Sequence, residues 1–146
     1  MERDLGTWLL RNEQVELCVV PERELVSMTR LAATLPADSE GLEAFYSEVA
    51  GAMADLDRPR LDLLVDSRKA VGRNDPEFER VQAAWQDALF GGFRCVAVVL
   101  RTIAGHLQLS RYALESPELR TACFTDPDEA LRFLEARRSV RLPDVG

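Results

Sequence analysis

Apolar and polar residues alternate through the first third of the chain and then change period. Residues 7–10 (TWLL), 14–20 (QVELCVV) and 24–32 (ELVSMTRLA) are short runs rich in apolar and β-branched side chains. In the second run Val15, Leu17 and Val19 alternate with Glu16 and Cys18, so one face turns toward a core. Polar breaks at Asn12-Glu13 and at Pro21-Glu22-Arg23 divide the runs, which predicts an antiparallel meander. After a loop at 35–39 the spacing lengthens: Leu42, Phe45, Val49, Met53 and Leu56 recur at steps of three and four, the stripe of an amphipathic helix with an acidic outer face.

The second half alternates strands with helices. Residues 61–66 (LDLLVD) read as a buried strand that ends in a carboxylate. A charged loop follows, and Asp75-Pro76 opens a helix that carries Phe78, Val81, Trp85, Ala88 and Leu89 on one side. Gly91-Gly92 supplies the left-handed stop on which helices commonly end. Residues 93–101 (FRCVAVVLR) give the most strand-like segment. A helix over 103–114, a short strand over 119–124 and a last helix carrying Ala130, Leu131 and Leu134 complete the reading. Asp126, Pro127 and Glu129 form a capping-box-like start for that helix, and the tail from Arg137 is expected to fray. The order β-β-β-α-β-α-β-α-β-α predicts an α/β domain with βαβ crossovers, a mixed sheet and four helices.

Composition narrows the class. One domain accommodates 146 residues, of which 47% are hydrophobic and 29% charged, the balance of a globular protein. The formal charge of −7 repels a phosphate backbone and argues against nucleic acid as a partner. Cys18, Cys95 and Cys123 are widely spaced in expected strands, form no CxxC or Cys/His cluster, and read as small buried hydrophobes in a reducing compartment. The acidic N-terminus does not resemble a signal peptide, and no window reaches the roughly 18 apolar residues of a membrane span. A cytoplasmic protein without membrane attachment is the expectation.

The candidate chemistry gathers at one edge. The loop 67–75 contains Ser67, Arg68, Lys69, Arg73, Asn74 and Asp75, and it lies where α/β proteins bind ligands or partners. Arg101 and His106 follow the next strand, so Arg68, Arg73, Arg101 and His106 could converge on an anion, a nucleotide or a lipid headgroup if the two strands are neighbours. The plainer alternative is a charged surface loop in which Arg68 pairs with Asp66 or Asp75, while Asp75 serves as a helix cap. No nucleophile elbow, HExxH, GxGxxG or Walker pattern occurs, so no catalytic residue, metal ligand or cofactor is assigned. A hydrolase built on Asp66 or Asp75 with His106 is the weakest reading. Trp8, Trp85 and Tyr112 fit core or boundary packing, whereas an aromatic on an exposed strand would mark a partner surface.

Two antiparallel strands followed by α-β-α-β-α-β-α resemble the STAS fold, and more narrowly the SpoIIAA-like family of anti-sigma-factor antagonists. The segments RCVAVVL at 94–100, ACF at 122–124 and DPDEALRFL at 126–134 carry most of the likeness, which covers about residues 13–136 and leaves 1–12 as an added strand. The resemblance implies a non-enzymatic regulatory module whose partner is an anti-sigma factor or kinase-like regulator. It also implies a serine or threonine at the head of the second helix, where phosphorylation abolishes binding. The matching stretch here, Gly72-Arg73-Asn74-Asp75-Pro76, has no hydroxyl residue, and Ser67 lies at the other end of the loop. Asn74 and Asp75 would then stand as a permanent polar and negative head where relatives acquire a phosphate. The added edge strand is a candidate dimer contact.

Overall fold

The computed structural model describes residues 6–32, 34–70, 75–102 and 121–145, with side chains as far as residue 137. Six strands, β1 (Thr7–Arg11), β2 (Val15–Val20), β3 (Leu25–Arg30), β4 (Asp62–Asp66), β5 (Cys95–Val99) and β6 (Thr121–Phe124), form one mixed sheet. The described α-helices are α1 (Ser39–Ala52), α2 (Pro76–Phe90) and α3 (Pro127–Val145). The chain is thus an α/β protein, as its alternation of periods predicts. The helix expected over 103–114 lies outside the described residues. Among the described residues no helix is long and apolar enough to cross a membrane.

Strand order in space follows strand order in sequence. β1, β2 and β3 form the expected antiparallel meander, and β3 to β6 run parallel. Because strand side chains alternate, the central strands β3, β4 and β5 contribute to two separate cores. Val15, Leu17, Val26, Met28, Leu63, Val65, Val96 and Val98 face α1 and α2, where they meet Leu42, Phe45, Val49, Phe78 and Val81. Leu25, Cys95, Ala97 and Val99 face the other way and pack on Ala130 and Leu134 of α3. All five residues of β5 are buried, which is why that segment is apolar at every position instead of alternating.

The ends of the elements obey local chemistry. Asp38 caps α1 by accepting from the Gly41 N–H at 3.3 Å, and Gly41 has no room for a side chain because a Cβ there would lie 2.5 Å from Pro36. The apolar stripe continues to Leu56, yet α1 stops at Ala52. Gly51 weakens the helix, and the Met53, Ala54 and Leu56 amides donate to carbonyls three residues back, winding the chain into tight turns while Met53 stays fully buried. At the end of α2 the left-handed residue is Gly92, φ +86°, whereas Gly91 is extended. β1 carries a bulge between Trp8 and Leu10. The extra residue lets two consecutive leucines, Leu9 and Leu10, both pack against the principal core, which strict alternation forbids.

An ion cluster braces the amino ends of three neighbouring parallel strands. Arg94, just before β5, donates through Nε and Nη2 to the two carboxylate oxygens of Asp62 at 3.1 and 3.3 Å. Its Nη1 reaches Glu24, just before β3, at 3.2 Å. Asp62 opens β4 and its side chain is 3% exposed. Glu24 is itself in the left-handed region at φ 52°, closing the turn over Pro21.

Candidate functional site

Parallel pairing of β4, β5 and β6 puts Asp66, Val99 and Phe124 in one row, so the loops that follow these strands emerge side by side. The condition for a joint site, that the strands before Arg68 and Arg101 be neighbours, is met. The Ser67 N–H continues the ladder by donating to the Val99 carbonyl at 2.8 Å, and the chain then turns, with the Ala70 amide on the Ser67 carbonyl at 3.2 Å.

Arg68 does not present a free guanidinium. Its Nε and Nη2 grip Asp66 at 3.0 and 2.8 Å, and its own amide donates to the same carboxylate at 3.1 Å. The two side-chain bonds make a bidentate fork, the geometry in which arginine holds a carboxylate most strongly, and the backbone bond closes a local turn beside it. Asp66 is consequently held below the ordinary carboxylate range, first by the hydrogen bond from the Arg68 side chain; partial burial opposes the shift. Arg68 is raised in turn by that hydrogen bond and feels the negative charge of Asp126 as well. Arg101 is exposed and its Nη1 approaches the Arg68 carbonyl at 3.5 Å, while Lys69 is exposed beside them.

Asp75 accepts from the Phe78 amide at 3.2 Å, and its carbonyl accepts from Glu79 at 3.1 Å. It is the N-cap of α2, as the plainer reading holds. Asp126 does the same for α3: its carboxylate takes the Asp128 amide at 3.0 Å and its carbonyl the Ala130 amide at 3.1 Å. With Asp38 on α1, each described α-helix begins at this edge with a resident aspartate over its positive end. Glu77 adds a hydrogen bond from Ser39, tying the first turns of α1 and α2 together. Arg73, Asn74 and His106 lie outside the described residues, as does Tyr112.

The general rule that favours this edge needs one correction here. Ligand crevices open where strand order reverses and successive connections leave to opposite faces. In this sheet the order does not reverse, and the connections after β3 and β4 both lead to helices on one face. The β6 exit, by contrast, leads to α3 on the other face. Asp126, which sequence reasoning treats only as a cap, therefore belongs to the same rim as Arg68. Sheet order is the missing signal, since it alone brings the β6 exit beside the β4 exit.

Elsewhere, Trp85 is half-buried with its indole N–H on Glu43 at 2.7 Å, whereas Trp8 is 44% exposed on β1. Cys95 is buried, and Cys18 and Cys123 are half-buried and free of disulfides. Burial pushes the Cys123 thiol up to about 11. No group of three or more His, Cys, Asp or Glu side chains is placed to hold a metal ion among the described residues. Comparison with family models, characterised proteins and solved structures yields no match.

Proposed function

We propose that the chain is a non-enzymatic, cytoplasmic regulatory module of the STAS, SpoIIAA-like kind, binding a protein partner through the loop 67–75 and the first turn of α2. The observation that carries this reading is the internal neutralisation of the edge. Arg68 is locked onto Asp66, and the helix starts are occupied by Asp38, Asp75 and Asp126. A cradle for a small anion needs open N–H groups and uncommitted guanidinium groups, and at these positions both are engaged. What the described part of the edge offers is a mostly acidic relief with Lys69 and Arg101 exposed upon it, a surface suited to charged complementarity with another protein. The partner class suggested by the resemblance is an anti-sigma factor or kinase-like regulator. The loop head lacks a hydroxyl, and in this reading Asp75 gives a fixed charge in place of a switchable phosphate.

The rival, an anion, nucleotide or lipid ligand held through Arg68, Arg73, Arg101 and His106, draws on the nearness of Arg101 to Arg68. Affinity purification of the full chain from its native cell separates the two. A reproducible protein partner, with no phosphate on Ser67 in the purified material, is the expected result. Absence of any partner together with saturable binding of inorganic phosphate in solution would give the rival precedence.

A further inference from the structure

The opposite side of the molecule carries a second surface. β1 ends the sheet, and among the described residues its outer row of backbone groups faces no further strand. α3 packs on β4, β5 and β6 and reaches β3 only at Leu25, so among the described residues the face of β1 and β2 turned away from α1 is not beneath it. Trp8 lies on that face opposite Cys18, and the Arg11 guanidinium sits over its ring at 4.1 Å while also bonding Glu16 at 3.4 Å. The bulge is what lets Trp8 and Arg11, three residues apart, share a face. On the other face Leu9 and Leu10 are only half-buried at the rim of the principal core. Free strands are ordinarily guarded by charge pointing along the edge, but here the one cation of the strand is drawn back over its own tryptophan.

We infer that β1 is a homodimer interface, in which the strand pairs antiparallel with β1 of a second copy about a two-fold axis between Leu9 and Leu10. The segment Trp8-Leu9-Leu10-Arg11 is self-complementary about that point. Leu9 of each copy falls opposite Leu10 of the other, extending the leucine rim into one apolar row. Trp8 of each falls opposite Arg11 of the other, so the aromatic and the cation keep their contact across the junction. A partner strand of unrelated sequence would satisfy the backbone equally but would not match both faces at once, which is the reason for naming a second copy. Such a two-fold continues the sheet through the junction and points the two 67–75 loops in opposite directions, leaving both rims open.

Analytical ultracentrifugation of the full chain over a rising concentration series tests this. The expected behaviour is a monomer–dimer equilibrium that stops at twice the 16.4 kDa chain mass and tightens with added salt, because two copies of charge −7 repel each other. Trp8→Lys, at an exposed position, is expected to raise the dimer dissociation constant by at least about tenfold while matching the wild-type thermal transition at concentrations low enough for both to be monomers. Amide exchange over residues 7–11 should slow as the wild-type concentration rises. A monomer at every concentration, growth beyond the dimer, or a dimer unaffected by Trp8→Lys or without protection in β1 would each overturn the inference.

Discussion

Replacing Arg94 by methionine isolates the brace at the amino end of the sheet. Methionine keeps most of the aliphatic stem that arginine packs but removes the charge from Asp62, whose side chain is 3% exposed and whose two oxygens both depend on Arg94. Breaking a buried pair by removing one partner costs about 3 to 5 kcal/mol, because the remaining charge is neither solvated nor compensated. A domain of this size has roughly 5 to 15 kcal/mol in total, so the variant should lose a large share of its stability. The ion pair to Glu24 is more exposed and adds little, by the measure of surface pairs. Urea unfolding at neutral pH, with linear extrapolation and an unchanged slope, reads the loss directly. Combining Arg94→Met with Asp62→Leu should recover much of it, since the stranded carboxylate is gone. A loss below about 1 kcal/mol for Arg94→Met would show that Asp62 is effectively solvated and refute the buried-brace reasoning.

Other outcomes follow from the same geometry. Asp66 is depressed in the folded state, so its contribution to stability is present above the unfolded carboxylate value of about 3.9 and is lost as pH falls through the lower folded value. Arg68→Leu should therefore flatten the acid limb of stability below about pH 4, and an acid limb identical to wild type in a urea series would contradict the fork. Asp75→Ala should cost about 0.5 to 2 kcal/mol through loss of the α2 cap, checked by the same unfolding assay; a neutral result would mean the bond to Phe78 carries no stability. Leu63→Ala, at a position with no exposure between sheet and helices, should cost about 2 to 5 kcal/mol. With its thiol near 11, Cys123 should react with a disulfide reagent at pH 8 more slowly than a free cysteine, and rapid labelling of that residue in the folded protein would argue against its burial.

Most of the fold is legible in the sequence because the two hydrophobic periods are clean. Val15, Leu17 and Val19 alternate, and Leu42, Phe45 and Val49 step by a helical turn; these fix element type and inward face with no knowledge of the partners they meet. Asp75-Pro76 and Asp126-Pro127 likewise announce both helix starts, because an N-cap acts within its own first turn. The end of α1 is harder to read, since Met53 and Leu56 remain apolar for core reasons after the backbone has left the helix at Ala52. The β1 bulge hides in two adjacent leucines, which break alternation without saying how. The candidate site is legible only in part for a related reason. Its local contacts, Asp66 with Arg68 and Asp75 with α2, lie within a few residues, but the neighbourhood of Arg68 with Arg101 and Asp126 depends on strand order, a non-local property. The Asp62–Arg94–Glu24 brace likewise spans three strands and leaves no motif.

A regulatory module of this kind must meet a protein partner through this rim. The most direct measurement is quantitative affinity purification from the native cell with three baits: the wild type, a Lys69→Glu/Arg101→Glu variant of the rim, and an Arg60→Glu variant at the exposed opposite end of the strands. A partner retained by the wild type and by Arg60→Glu but lost by the rim variant is the predicted result. Equal recovery with all three baits, or no partner with any, would contradict it.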